Sequence, residues 1–307
     1  MTKKLVYIDQ NIVGHQLSGS LKLVPEQDLT WVYSNEHFSE IRRSSNASKY
    51  LNELERMDAK LLELELDADW KITGVAKLNE HRTPTQHYEA YLDAINDIEL
   101  DDNLFNPLLA WINGGGDEAS LNQLSNKLIE EVSSLTKDFP ISDNNFNEQI
   151  CRIKPDFDSM VEQVKTQGNN INNTRDAFGI GKGAVGHISG NNQIMKIWEL
   201  IKATNEFDVT CDQFFGFDRT IEEKTSIFQG IVGCCAVFDI IGFQSEKKIR
   251  KIDKLPNIQS DAGHIAMGAY CSAILSEDKR LIKRAKAIYQ YKGIGTTPIL
   301  IGRRKKD

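Results

Sequence analysis

The last 50 residues carry the pattern that most restricts how this chain can fold. A helical segment over 260–269 precedes a short apolar run, 272–275, which is followed closely by Asp278. A basic helical segment, 279–289, then leads to a second apolar run, 298–301. Helices that alternate with short apolar strands are typical of parallel sheets with right-handed crossovers. The pattern therefore predicts an α/β fold with an acid at the carboxyl end of a buried strand.

The start of the chain shows the same kind of element. Residues 5–8 form an apolar, partly β-branched run that ends at Asp9. A second run, 29–33, precedes Ser34, which has the residue type of a helix N-cap, and Glu40 lies on the helix predicted to follow. Ligands of open α/β sheets bind beyond the carboxyl ends of the strands, so we expect chemistry at both places.

The middle of the chain has a different character. Apolar residues recur near the helical period over 46–66, and the later helical patterns cover 85–98, 118–135, 146–164, 193–203 and 222–241. Segments rich in Gly, Asn and Pro separate them, and no strand-like alternation is apparent. We predict a mainly helical insertion over 46–219 within a core formed by 1–45 and 220–307.

Composition excludes several classes of protein. The chain has 307 residues, of which 40% are hydrophobic, and its longest apolar run, 230–242, contains Asp239 and falls short of the ~20 residues of a membrane span. The first apolar run is also shorter than that of a signal peptide. Five cysteines without Cys-x-x-Cys spacing fit a reducing compartment. We expect a cytoplasmic protein with no membrane partner.

Charge is distributed unevenly. The net charge is −7, yet residues 242–307 hold 15 Lys and Arg against 6 Asp and Glu. An asymmetry of this kind indicates a polyanionic partner such as nucleic acid. A solvated basic face balanced by acidic helices is the alternative, and the sequence leaves it open.

Four acids, Asp9, Glu40, Asp261 and Asp278, occupy positions that the predicted elements bring together. Carboxylates that share a cleft repel one another, so such a cluster is expected to hold a cation. Oxygen ligands with few His or Cys nearby favour Mg²⁺ or Mn²⁺ over Zn²⁺. This arrangement suits hydrolysis by a metal-activated water.

The segments that carry these acids resemble the PIN-domain nucleases. The similarity lies in Val6-Tyr7-Ile8-Asp9, in 34–41, and in 261–278 with the basic helix and final strand after it. It covers only about the first 45 and the last 50 to 80 residues of the chain.

The resemblance implies a PIN-like α/β/α sandwich with a mainly parallel sheet, split by the large helical insertion. It also implies that Asp9, Glu40, Asp261 and Asp278 bind the metal and that Ser276 supports Asp278 by a hydrogen bond. The activity implied is that of a metal-dependent endonuclease, with RNA favoured over DNA as the substrate.

Three further residues have two interpretations each. Glu36 lies one helical turn before Glu40 and is either the ligand or a second one, although the spacing from Ser34 favours Glu40. Asn11 either orients Asp9 or caps a turn. His264 either bonds an acid or a phosphate, or is a packed core histidine.

Basic residues begin directly after the last acid. We predict that Lys279, Arg280 and Lys283, with Arg284, Lys286 and the terminal bases 303–306, contact the substrate backbone. The alternative is a solvated helix face. The Gly-x-Gly-x-x-Gly motif at 181–186 lacks a preceding strand, so it indicates a loop near the substrate rather than a dinucleotide site.

Two other functions remain open from the sequence. One is a non-catalytic binding or regulatory protein of the same fold, with its acids satisfied by salt bridges. The other is a haloacid-dehalogenase-like phosphatase, which needs a second acid two residues after the first, where this chain has Asn11. A homo-oligomer or a regulatory partner is compatible with either case.

Overall fold

The fold is described from a computed structural model of the chain. The structure describes residues 3–24, 27–69, 71–97, 104–112, 115–135, 144–166, 175, 178–181, 183–206, 208–218, 225–245 and 255–302.

A six-stranded sheet forms the centre of the molecule. Its strands are β1 Lys4–Ile8, β2 Leu29–Tyr33, β3 Lys60–Leu66, β4 Ile72–Asn79, β5 Ala273–Ser276 and β6 Thr297–Leu300, in the order β4-β3-β2-β1-β5-β6. All neighbours are parallel except β3 and β4. The predicted α/β class with a mainly parallel sheet is confirmed. The chain crosses from one side of β1 to the other before β5, so the switch point lies between these two strands.

The described α-helices occupy the connections. They are α1 Gln10–Leu17, α2 Asn35–Arg43, α3 Ala47–Arg56, α4 Pro84–Asp97, α5 Asn106–Ile112, α6 Glu118–Asn122, α7 Leu124–Leu135, α8 Asn144–Thr166, α9 Gln193–Lys202, α10 Cys211–Phe214, α11 Ile227–Ile241, α12 Leu255–Gly268 and α13 Lys279–Lys292.

Apolar side chains cover both faces of the sheet. Successive residues of β1 alternate between two buried clusters, with Val6 and Ile8 in one and Tyr7 in the other. Helices α1 to α3 pack into the first cluster, and α9 and α11 to α13 pack into the second. Burial of a side chain such as Ile8 contributes roughly 1.5–3 kcal/mol. The layering is compatible with the predicted α/β/α sandwich.

The helix predicted over 46–66 is wrong beyond Arg56. Strands β3 and β4 pair antiparallel at the edge of the sheet. Leu62 to Leu66 alternate Leu with Glu, which is the period of a strand, although these residue types also favour helix. Strand pairing outweighed helix propensity here. The boundaries at 45 and 220 stay predictions, although the central sheet extends past 45.

Helix α1 follows Asp9 directly. One further expectation differs from the structure. Helix α12 begins at Leu255, so Asp261 lies in its interior and not at its start. The predicted N-cap Ser34 is confirmed, because its side chain accepts a hydrogen bond from the Glu36 N–H.

The predicted helical character of the middle region is confirmed for the described residues between 84 and 218. Part of it forms a small cluster of its own, in which Trp111 and Leu121 pack with Val161. No described helix combines the length and apolarity needed to cross a lipid bilayer. Four described cysteines are free thiols: Cys211, Cys234, Cys235 and Cys271.

Candidate functional site

Asp9 lies at the carboxyl end of β1, where its backbone N–H donates to Leu275 O of β5 at 2.9 Å. Its side chain is only 2% exposed. Ser276 Oγ donates to Asp9 Oδ2 at 2.6 Å, and Asn11 Nδ2 lies 3.3 Å from the same oxygen. Burial raises the pKa of Asp9 above its usual range. Asn11 thus contacts Asp9, and its role in orienting that acid stays a prediction.

Ser276 connects two of the predicted acids. Besides donating to Asp9, its Oγ accepts the backbone N–H of Asp278 at 3.0 Å. The family resemblance implied a hydrogen bond from Ser276 that supports Asp278. In the structure the Ser276 hydroxyl donates to Asp9, and it supports Asp278 by accepting its backbone N–H.

Glu40 of α2 and Asp9 both face one nitrogen of His264, which is fully buried on α12. His264 Nε2 lies 3.5 Å from Glu40 Oε1 and 3.8 Å from Asp9 Oδ1. Ser260 Oγ donates to Glu40 Oε1 at 2.7 Å. The structure thus brings together two acids from different elements, and it confirms that His264 contacts neighbouring acids.

His264 supplies positive charge to this cluster. Burial acts to lower its pKa, but the hydrogen bond and charge of Glu40, with the charge of Asp9, raise it to about 9. Burial acts to raise the pKa of Glu40, yet His264 and Ser260 lower it to about 2. At neutral pH an imidazolium therefore lies among the carboxylates.

Three residues that support the cluster were not predicted as functional: Tyr7, His37 and Ser260. The Tyr7 hydroxyl lies 2.8 Å from His264 Nδ1 and 2.7 Å from Ser34 Oγ. A protonated His264 donates to Tyr7, and Tyr7 then donates to Ser34. No sequence spacing indicates this contact, because the partners come from opposite ends of the chain.

His37 reinforces the same corner. Its Nε2 donates to Ile8 O at 2.7 Å, while Nδ1 accepts the Ser34 N–H at 3.2 Å. Burial and the nearby His264 charge lower its pKa to about 3, so it is neutral. Its position three residues after the Ser34 cap is that of the second member of a capping box, so the sequence could have predicted the bond to the Ser34 N–H.

Asp261 is the least compensated acid. No hydrogen bond or ion pair to its side chain is found within the part of the chain that the structure describes. Burial, and the charges of Asp9, Asp278 and Glu40, raise its pKa to about 8, against the opposing effect of His264. The carboxylates are therefore close enough to repel one another.

Asp278 has a structural role that the sequence did not predict. It is the N-cap of α13, where its Oδ1 accepts the N–H groups of Arg280 at 2.6 Å and Leu281 at 3.3 Å. The Arg280 guanidinium lies 3.2 Å from Oδ2. Burial acts to raise its pKa, but the Arg280 hydrogen bonds lower it overall. Asp278 is thus the best satisfied of the four acids.

Glu36 packs directly against α12. A methyl group at Gly263 would overlap the Glu36 carboxyl group, so this close approach requires glycine. Burial and the charge of Glu40 raise the pKa of Glu36. Glu36 also lines a cleft of about 480 Å³ together with Arg42, Arg43 and Tyr91.

Carboxylate oxygens are suitable ligands for Mg²⁺ or Mn²⁺, and the raised pKa of Asp261 shows that the neighbouring acids disfavour a further negative charge. Among the described residues, however, no group of three or more His, Cys, Asp and Glu side chains stands at metal-ligand spacing. The donor chemistry matches the predicted ion, but the described side chains as placed do not form a set of ligands for it.

The predicted substrate-contacting bases differ in environment. Lys279 is exposed and lines a cleft of about 520 Å³ with Asn11 and Asp278, and Lys283 is exposed one turn further along α13. Arg284 was predicted to be available to substrate, which is wrong: it is buried and paired with Asp239. The bases 303–306 lie outside the described residues.

Compared with protein-family models, curated proteins and solved structures, the chain shows no match.

Proposed function

We propose that this chain is a metal-dependent endonuclease with a PIN-like α/β/α fold, and that it cleaves phosphodiester bonds, of RNA in preference to DNA. The observation that carries the proposal is the convergence of Asp9 and Glu40 on one nitrogen of His264, at 3.8 and 3.5 Å. This meeting point lies at the carboxyl ends of β1 and β5, where open α/β sheets bind their ligands.

Asp9, Glu40 and Asp261 are the residues that would hold Mg²⁺ or Mn²⁺, with Asp278 at the edge of the group and Glu36 as an accessory acid. Such an ion lowers the pKa of water and stabilises charge on the leaving oxygen. The protein's own contribution is to position the carboxylates. Ser276 and Asn11 hold Asp9, while Ser260 and His264 hold Glu40.

Charge balance favours this function over a non-catalytic protein. If salt bridges to Lys and Arg satisfied the acids, each would have a basic partner. Among the described residues only Asp278 of the four has one, Arg280, while Asp9 and Glu40 share an imidazolium. Asp261 retains a pKa of about 8. A cluster in this state gains from binding a cation.

The phosphatase alternative is disfavoured by Asn11. An amide at this position donates to Asp9 and cannot act as a general acid or base near neutral pH. General acid and base catalysis by a second carboxyl group is therefore missing from the place where that chemistry needs it.

The test is cleavage of an end-labelled single-stranded RNA, and of DNA of the same sequence, with Mn²⁺ or with chelator. We expect internal cleavage that depends on the metal and falls in Asp9→Asn by about 100-fold or more, the order that loss of one transition-state-stabilising group costs. Asp69→Asn is the matched control, because Asp69 is exposed. Equal cleavage by Asp9→Asn and wild type at matched purity would overturn the proposal.

A further inference from the structure

A cleft of about 730 Å³ lies on the exposed face of α13. One wall is the segment 186–193, which begins at the last glycine of the Gly-x-Gly-x-x-Gly motif, and the other is formed by Lys283, Lys286 and Gln290. Gln244 also lines the cleft. We refer to this feature as the α13 cleft.

The α13 cleft carries positive charge that no acidic lining residue neutralises. None of the residues that line it is acidic. Lys283 and Lys286 are exposed, and their spacing of three residues places both on one face of the helix. Within the described part of the chain neither lysine has an ion pair, and the exposed His187 faces the same space.

The wall opposite the lysines is held in place by hydrogen bonds. Gln290 Oε1 accepts the Asn192 N–H at 3.0 Å, and Gln193 Nε2 donates to Ile188 O at 3.1 Å. Lys196 Nζ donates to Ser189 O at 3.3 Å. Gln244 has a φ of 50°, a left-handed conformation that a glutamine rarely adopts and that concentrates at functional sites. The cleft is therefore built before any ligand arrives.

The α13 cleft and the acid cluster are connected by a shared lining residue, Gln244. Gln244 also lines a narrow gap that contains Asp261 and Arg280. From Arg280 to Lys286 the helix advances about 9 Å. A single phosphate group cannot contact charges spread over that length, whereas a strand presents a phosphate about every 3.4 Å of a helical duplex.

We propose that the α13 cleft binds the phosphate backbone of a nucleic-acid strand that extends from the acid cluster, with Lys283 and Lys286 as the principal contacts. This inference rests on the proposed nuclease function for the position of the cut. Lysine contacts to phosphate carry no sequence information, so the cleft should bind strands of any sequence. The substrate is then a polynucleotide long enough to span both places.

The test is binding of fluorescent single-stranded RNAs of 4, 8 and 12 nucleotides to wild type and to the double variant Lys283→Gln/Lys286→Gln. Chelator is present, so that binding is measured without cleavage. We expect wild-type affinity to rise with length. In the double variant this gain should shrink, and the slope of log affinity against log salt should fall by about 1.4, since each phosphate contact contributes about 0.7.

The matched control is Lys49→Gln/Lys71→Gln, which removes the same charge from exposed positions outside the cleft. It should keep the wild-type slope and length dependence. An unchanged slope in the Lys283/Lys286 variant, with an unchanged melting temperature, would overturn the inference even if the protein cleaves RNA. A reduced slope in a protein that cleaves nothing would instead support the cleft and contradict the proposed nuclease.

Discussion

The hydroxyl group of Tyr7 lies 2.8 Å from Nδ1 of His264, although 257 positions separate the two residues. This contact orients the imidazole so that its other nitrogen faces Glu40 and Asp9. Because Tyr7 is on β1 and His264 on α12, the hydrogen bond also connects the sheet to the helix that carries Asp261.

Replacement of Tyr7 by Phe should destabilise the protein by about 1–3 kcal/mol, because it leaves buried groups of His264 and Ser34 without their partner. Tyr33→Phe is the matched control. The Tyr33 hydroxyl is also buried in the sheet but has no described hydrogen-bond partner, so its removal should cost little. Urea denaturation measures the free energy of unfolding of both variants. An equal loss of stability in the two would contradict the role assigned to Tyr7.

Stability of the metal-free protein should fall as the pH rises from about 6.5 to 9. The pKa of His264 is raised to about 9 in the folded state, so its stabilising charge is fully present below its unfolded pKa of ~6.5 and is lost through 9. Asp261, with a pKa raised to about 8, acts in the same direction because ionisation disfavours the folded state. Urea denaturation in chelator across this range measures the decline.

The variant His264→Gln distinguishes the contribution of His264 to this pH dependence from that of Asp261. The free energy difference between wild type and this variant should shrink toward pH 10, where wild-type His264 has lost its proton. A difference that stays constant with pH would show that His264 is neutral in the folded protein.

Gly263→Ala should displace the Glu36 carboxyl group with little loss of stability. The atoms that the new methyl group meets are the end of a flexible side chain, and Ala is favoured over Gly inside a helix by roughly 0.5–1 kcal/mol. If Glu36 assists the metal, Mn²⁺-dependent cleavage should fall while the melting temperature holds. Unchanged cleavage would contradict the accessory role proposed for Glu36.

Breaking the buried pair of Arg284 and Asp239 should cost about 3–5 kcal/mol, because it leaves one charge buried alone. The two residues are each 5% exposed, and Arg284 Nη1 donates to Asp239 Oδ2 at 3.3 Å. Asp239→Asn tests this by urea denaturation. Glu65→Gln, which removes an exposed partner of Lys77, is the control and should change stability little. Similar effects in both would contradict the structural role of the buried pair in fixing α13.

Much of the site could be predicted from local sequence. An acid that follows an apolar run, as Asp9 does, is placed at a strand end by patterning alone, and Ser34 marks the helix that carries Glu40. The contacts of His264 could not be predicted, because Tyr7, Asp9 and Glu40 reach it only through tertiary packing.

The main error in the predicted fold has a physical cause. Residues 60–66 combine Leu, Glu and Lys, which favour helix intrinsically, with the alternation of a strand. Pairing with Val32 and Tyr33 of β2 decided between them. The capping role of Asp278 was overlooked for a different reason, since the same residue type at a helix start suits both a cap and a metal ligand.

In the proposed function, the acids at the carboxyl ends of β1 and β5 bind a divalent cation. Calorimetric titration of Mn²⁺ at pH 7, in two buffers of different ionisation enthalpy, tests it most directly on wild type and Asp261→Asn. Because the pKa of Asp261 is raised to about 8, wild type should bind Mn²⁺ with release of about one proton. The variant should bind at least about 10-fold more weakly and release none. Equal binding by both proteins, or no binding by wild type, would contradict the claim.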